Sequence, residues 1–443
     1  MSLEVEDSGT PAVLEGPTEG TNIANPDQFT EPTRDLETAL MDMQTAQGSL
    51  LALERLQSSL EAIAGQPITP RAGQFLHDAY SYATAGLEGI VEDLPSIECF
   101  GKQDSEALRT VSVETIGSAI RRAINMVLNA ILRLGKALAD LIDKLAPNLR
   151  VLQFNAYRAR LLARQVAGRF PEVPEQTLGF SGTLASTELK PIATGGDLIT
   201  NLNELNNQFG IVGGDYLRNV ANLQSYYIRR LADLKDADTD EAVQEMLNDL
   251  ATQIAASGPS TVAGKFRSQK KIADARFPND RAVSAAPLPG HRSMVIVSPS
   301  QSDATNPISG LLDQHLDLTR LNPSVVKDYS KKQMKTMVPT EINEALNQVD
   351  ALIGRLGDVL KNGERIRVND MAKAVKRASE ELESRYEGRQ GPMAELISSG
   401  ATLSTWLASP YMPMISLAVS VVTASLRLIT QHIRSYGVDE QKT

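Results

Sequence analysis

Four histidines are the first candidates for acid–base or metal chemistry: His77, His291, His315 and His432. They are scattered along the chain, and none stands in a spacing that would put two imidazoles on one helix face. The single cysteine, Cys99, permits neither an intrachain disulfide nor a zinc cluster of the cysteine type. No GxSxG turn, HExxH helix or EF-hand loop occurs. The stretch Gly258-Pro-Ser-Thr-Val-Ala-Gly264-Lys265-Phe266 has the outline of a phosphate loop. It carries one residue too many between its glycines, and Phe266 stands where a Ser or Thr would hold Mg²⁺. A plain loop is the better reading. The expectation is a protein without catalytic residues, metal or cofactor.

What remains is charge. One basic stretch is Lys265, Arg267, Lys270, Lys271, Arg276 and Arg281; a second is Lys327, Lys331, Lys332 and Lys335; a third is Lys361, Arg365, Arg367, Lys373, Lys376 and Arg377. Each suits non-specific contact with phosphates, which weakens steeply with salt. Each equally suits a solvated face balanced by neighbouring acids. Aromatic residues do not interleave with the basic ones, which argues against stacking on bases. Lys265, Arg267, Lys270, Lys271 and Arg276 are the candidate DNA contacts.

The elements that must position these residues are helices. The chain has 443 residues, room for two or three units or one large one. Hydrophobic residues make up 42% but aromatic residues only 5%, so aliphatic side chains must fill the interior. That composition favours helix on helix. Residues 1–33 are rich in Gly, Pro, Thr and Glu without periodicity and read as a disordered acidic tail. Their opening, MSLEVEDSGTPAVLEG, has no apolar run and is not a secretory signal or transit peptide. From Asp35 to Ala64, Leu36, Leu40, Met43, Leu50, Leu53, Leu56, Leu60 and Ile63 recur at helical spacing, and Thr69–Ala85 reads as a shorter helix.

The strongest helical signal runs from Val113 to Leu145, a rod of roughly 50 Å. Pro147 is expected to end it, with Leu149–Ala167 returning as an antiparallel partner. Thr177–Leu184 alternates like a strand, and Met294-Val295-Ile296-Val297 is the clearest strand in the chain. The two are expected to pair. The fold class is therefore mainly α (α+β): a multi-helix bundle with a small inserted sheet near 177–184 and 292–298. Helices are also expected over Asp197–Asn207, Tyr216–Asp233, Thr239–Ala255, Thr340–Lys361 and Ala372–Tyr386. Residues 396–426 then run without a charge, long enough to span a membrane but split by Pro410 and Pro413. A buried C-terminal helical hairpin within 394–436 is the leading reading; a membrane-inserting element of a pore-former is the alternative.

Charge divides the chain. Residues 1–98 hold 17 Asp+Glu against 3 Lys+Arg, a net of −14, and the remainder holds 37 acids against 41 bases, a net of +4. The change falls in a loop-like stretch around Pro95, where the chain reads Ser96-Ile97-Glu98-Cys99. A small residue, any residue, then Glu resembles the recognition triplet of head-maturation proteases of giant tailed phages. Ser2–Glu4, Ala52–Glu54, Ser59–Glu61, Gly86–Glu88 and Ser112–Glu114 fit it too. Location favours Ser96–Glu98, because a protease reaches extended, exposed backbone; the other reading is an ordinary linker between helices.

The layout as a whole resembles the internal head proteins of large tailed bacteriophages. The resemblance rests on the acidic helical N-terminal region, the Ser-Ile-Glu boundary, the Ile/Leu/Arg/Lys-rich helix Val113–Leu145, the stretch Leu288-Pro289-Gly290-His291-Arg292-Ser293-Met294-Val295-Ile296-Val297, and the ending Ser425-Leu426-Arg427-Leu428-Ile429 through Tyr436. It implies a structural protein made in the host bacterial cytoplasm and packed inside the prohead among capsid or core proteins. A head-maturation protease would trim residues 34–98 as an acidic helical propeptide, and the mature body 99–443 would stay beside the packaged DNA or be ejected with it.

Overall fold

The computed structural model describes residues 30–62, 69–87, 94, 105–177, 181–185, 192–233, 240–267, 269–272, 281–301, 308–320, 333–361, 370, 373–374, 376–377 and 391–438. Among the described residues it is 77% helical with small antiparallel sheets, the mainly α architecture that the aliphatic composition favours.

Helix α1 (Thr30–Ala62) buries Ala39, Met43, Ala46, Leu50, Leu53, Leu56 and Leu60 along one stripe. The steps of three and four residues keep these side chains on one face of a 3.6-residue turn. Helix α2 (Pro70–Thr84) starts where the Thr69 hydroxyl accepts the Ala72 amide at 3.2 Å, with Pro70 at the first helical position.

Helix α3 (Ser105–Gln165) is one rod of 61 residues, about 90 Å long. It does not end at Pro147, and Leu149–Ala167 does not fold back as an antiparallel partner. Proline inside a helix costs about 3 kcal/mol. The apolar stripe offsets that cost: Leu141 and Leu145 before the proline and Leu149 and Leu152 after it are all buried. The Asn148 amide also donates to the Lys144 carbonyl at 2.8 Å, so one carbonyl of the interrupted turn keeps a donor.

Strand β1 (Glu175–Thr177) and helix α4 (Ser181–Leu184) follow, then α5 (Gly195–Gly210), a π-helical turn over Ile211–Tyr216, α6 (Leu217–Asp233) and α7 (Asp240–Ser257). A capping box between Thr194 and Asp197 opens α5. A 3₁₀ turn at Pro259–Lys265 leads to β2 (Lys270–Lys271), β3 (Ala282–Leu288) and β4 (Arg292–Val297). Helix α8 (Ser309–Leu312), β5 (His315–Arg320), β6 (Gln333–Lys335) and α9 (Pro339–Lys361) come next, and α10 (Gly391–Ala408) and α11 (Tyr411–Arg434) close the fold.

The sheet has the antiparallel order β2-β3-β4-β5, and β1 pairs instead with β6, Gln176 opposite Met334. The expected pairing of 177–184 with 294–297 is therefore corrected: the first region lies in a separate ribbon, and Ser181–Leu184 is a helical turn. The reason is local. Strand β4 is buried almost throughout and takes the neighbour that a short hairpin delivers, β3, with Gly290 and His291 both at positive φ in the turn. Their amides both point at the Ala185 carbonyl, which docks the turn on the body. Pro287, which cannot donate to a ladder, sits where the β3–β4 register shifts.

Helices α10 and α11 lie in the interior rather than forming a hairpin on each other. Helix α10 packs on α1, α3, α6 and α7, and α11 packs mainly on α9 and α3. Side chains of α6 hold α10: Tyr227 donates to the Leu396 carbonyl at 2.6 Å and Gln224 to that of Leu403 at 3.1 Å, while Tyr216, in the π-helical turn, donates to that of Trp406 at 2.7 Å. The many Ser and Thr residues are compatible with burial because they bond carbonyls one turn back, as Ser404 does to Gly400 and Thr423 to Val419. Residues Glu395–Arg434 are long and apolar enough to cross a membrane by length and composition. Yet 78% of the most apolar window is buried in the protein, the state of a core helix.

Candidate functional site

The charge boundary near residue 98 is not a packing boundary. Residues of α1 and α2 belong to the same apolar core as α3, α9, α10 and α11. Helix α1 makes its most extensive contact with α3 and lies also against α10. The Gln47 amide reaches across to α10, donating to the Ser398 carbonyl and the Thr402 hydroxyl, both at 2.9 Å. The Thr405 hydroxyl donates to Met43 Sδ at 3.1 Å. These pairs run in opposite senses along the two chains, so α1 and α10 are antiparallel. At the rim, Arg133 of α3 meets Asp42 at 2.5 Å.

One contact in this interface is poor. Glu54 of α1 is half-buried, with one carboxyl oxygen shut off from solvent, and its pKa is pushed up to about 9. Burial is the main cause; the carboxylate of Glu395 at the start of α10 adds to it, and Arg55 opposes it. Its Oε1 is buried without a hydrogen-bond partner. The sequence carried a signal for this, a glutamate four residues after Leu50 and adjacent to Leu53 within the apolar stripe. Its partner from α10 was not foreseeable without the fold.

The candidate cleavage residues Ser96, Ile97, Glu98 and Cys99 lie outside the described residues. Three rival triplets do not. Ala52–Glu54 and Ser59–Glu61 lie within α1 and Ser112–Glu114 within α3, where Ser112 is fully buried. Helical backbone at these places is closed to a protease that needs an extended segment. Of Gly86–Glu88, only Gly86 and Leu87 are described, and Leu87 is buried.

The candidate DNA contacts separate on inspection. Lys265 ends the 3₁₀ turn and is 2.5 Å from Asp215. Arg267 is exposed, and its carbonyl accepts the Ala286 amide. Lys270 and Lys271 are exposed on β2, the edge strand of the sheet, where lysines also discourage pairing with a second sheet. Arg276 lies outside the described residues. Arg281 is half-buried, 3.6 Å from Asp313. Lys335 is exposed on β6, and Lys361 stands beside Asp358 at 3.4 Å. Lys373, Lys376 and Arg377 are exposed; Arg365, Arg367, Lys327, Lys331 and Lys332 are outside the described residues.

One basic pair was invisible in the sequence. Arg292 and Arg320 stand directly opposite each other on β4 and β5. Like charges facing each other across strands destabilise a sheet. Burial and the Arg320 charge depress the Arg292 pKa, and Glu37 of α1 and Asp317 counter this. The acidic N-terminal helix thus supplies one of the charges that balance the pair.

The phosphate-loop likeness dissolves into structure. The Ser260 amide and hydroxyl both donate to Gln314 Oε1, at 2.9 and 2.7 Å, and the Gly258 amide donates to the Ile254 carbonyl. Those donors face the protein. The described histidines are apart: His432 is buried in α11, where its Nδ1 accepts the Met337 amide at 3.3 Å and burial lowers its pKa to about 4. His315 Nδ1 lies 3.1 Å from the Asp313 carbonyl. Among the described residues no group of three or more His, Cys, Asp or Glu converges as a metal site would require.

No curated protein and no solved structure matches the chain. The sequence does match one protein family over residues 31–431, from the start of α1 to the last turns of α11, so the match takes in the acidic helices and the body alike. A match over that much of the chain shows the family: the chain belongs to the phiKZ-like phage internal head proteins.

Proposed function

We propose that this internal head protein is made as a precursor in the host cytoplasm and cut after Glu98 by the head-maturation protease, and that the body 99–443 is packed beside DNA among capsid or core proteins. Membership of the family already locates the protein inside the virion head in a structural role. The observation that carries the finer reading is a coincidence of two features. The net charge changes sign at residue 98, and the one triplet at that point lies between α2 and α3, whereas three of its rivals lie in packed helices.

Charge gives the cut a purpose. The precursor carries −10 overall and is repelled by DNA; the body alone carries +4. At the ionic strength of a cell, charges act over about 8 Å, so the net sign of the surface pressed against DNA matters more than distant charges. Exposed Arg267, Lys270 and Lys271 are suited to contact phosphates without regard to sequence, and the body then stays with the genome or leaves with it. The test is the N-terminus of the protein extracted from virions, read by intact mass and terminal sequencing. A start at Cys99 is expected; a chain that begins at Met1 in mature particles overturns the processing.

A further inference from the structure

A cut after Glu98 severs the chain but removes none of the contacts that hold α1. Seven apolar side chains of α1, from Ala39 to Leu60, are buried in a core to which α3 of the body contributes most, with α10 and, from the same fragment, α2 adding to it, and five of the seven are Leu or Met. A side chain of that size, once buried, resists return to water by about 1.5–3 kcal/mol. Gln47 and Thr405 add hydrogen bonds that tie α1 to α10, and Asp42 reaches Arg133 of α3. None of these groups lies near residue 98 in the sequence.

We propose that the trough on α3 and α10 is a binding site for residues 30–62 as a separate chain, so that the cut leaves the acidic segment bound and its departure is a distinct later event. This rests on the processing described above. It gives the body an intermediate in which the chain is already cut but the −14 segment still offsets its charge, with Glu37 still among the charges acting on Arg292. The later event has a built-in weak point. Glu54 Oε1 is buried in this interface without a hydrogen-bond partner, and the Glu395 charge from α10 acts on the same carboxyl, opposed by Arg55 of its own helix. Bound, Glu54 holds its proton to about pH 9; free, it loses the proton in the ordinary carboxylate range. Retention is therefore strongest in acid and weakens as pH rises towards 9.

The test imposes the cut on the whole chain. A recognition site for an exogenous, sequence-specific protease replaces residues 96–98, and folding of the uncut protein is checked by thermal unfolding. After complete cutting, fragment 1–98 is expected to co-elute with 99–443 at micromolar concentration and to give the mass of the pair in native mass spectrometry. A fragment that elutes apart from a folded body overturns the proposal. If the replacement blocks folding, the same site placed at 66–68, between α1 and α2, asks the same question of α1 alone. Leu50→Asp with Leu53→Asp should free the fragment after cutting; retention despite both would show that the trough is not what holds it. Glu54→Gln should abolish the loss of retention between about pH 6 and pH 9, and an unchanged pH profile would remove Glu54 as the weak point. Because the cut is imposed, release here leaves native processing at Glu98 untouched, and an uncut chain in virions would sink the processing without deciding retention.

Discussion

Helices α1 and α11 are both buried, yet they are buried in different ways. Helix α11 is covered nearly all round: Met414, Ile415, Ala418, Val419, Val421, Val422, Leu428 and Ile429 are inaccessible, and the Ser420 and Thr423 hydroxyls bond carbonyls of the preceding turn. Helix α1 buries one stripe only and keeps charged residues such as Asp35 and Glu37 in solvent. Each contains an ionisable group whose titration burial shifts, and the two are of opposite kind. His432 in α11 is kept neutral as a base, and Glu54 in α1 is kept neutral as an acid. A helix covered on all sides belongs to the permanent core. A helix held by one stripe, with a carboxyl facing a second carboxyl across the seam, is built like an interface that can part.

The comparison is broken most directly by large-to-small substitution. Trp406→Ala in α10 removes a buried indole from the interior and should cost about 3–5 kcal/mol, with a single cooperative transition in denaturant at a lower midpoint. Leu50→Ala in α1 should cost about 2–5 kcal/mol. Its effect should be regional: amide exchange should accelerate in α1 and the facing turns of α3 and α10 before it does in α11. Equal acceleration throughout would mean that α1 is as integral as α11.

Titration sharpens the comparison, because the two buried groups respond to opposite extremes. The His432 pKa is lowered from 6.5 to about 4, so the unfolded chain binds a proton first as pH falls. Stability is fully present above about 6.5 and is lost as pH falls towards 4, by roughly 3 kcal/mol. The Glu54 pKa is raised from 4.5 to about 9. Its contribution is complete below 4.5 and declines as pH rises to 9, by on the order of 3 kcal/mol or more. Acid should therefore loosen the end of α11 first and alkali should loosen α1 first, as hydrogen exchange at pH 4.5 and pH 9 can distinguish. His432→Gln and Glu54→Gln should each flatten one limb and leave the other.

Much of this was legible in the sequence, and the failures have physical causes. The stripes of α1 and α3 recur over many turns, so their helical state and buried face could be read directly, whereas the uncharged run of α10 and α11 left burial and membrane insertion both open until the fold placed it. Pro147 misled because its local cost is visible in sequence, whereas the packing of Leu145, Leu149 and Leu152 that outweighs it is tertiary. The partner of β4 was missed because pairing is decided by which strand a tight turn delivers, and Gly290-His291 delivers β3. Glu54–Glu395 and Arg292–Arg320 are juxtapositions of residues far apart in the chain, and no periodicity reports them. Lys265 looked free as a letter in a basic stretch; Asp215, fifty positions away, holds it.

The smallest expected effect decides what holds the acidic helix. An electrostatic account would make Asp42–Arg133, at 2.5 Å, a principal tether between the −14 segment and the body. Both side chains are partly in solvent, at 52% for Arg133 and 33% for Asp42. Water and salt screen such pairs, whose measured worth is about 0–1 kcal/mol. Asp42→Ala should therefore lower stability by less than about 1 kcal/mol, and the difference should shrink further in high salt. Leu50→Ala, two turns along the same helix, should cost several times more and be indifferent to salt. If the ranking were reversed, α1 would be held by charge, and the polyanion it is meant to exclude would compete it off unaided. With the ranking as expected, DNA alone cannot strip α1 from the body, and loss of the acidic segment's charge waits on the cut and on the parting of an apolar seam.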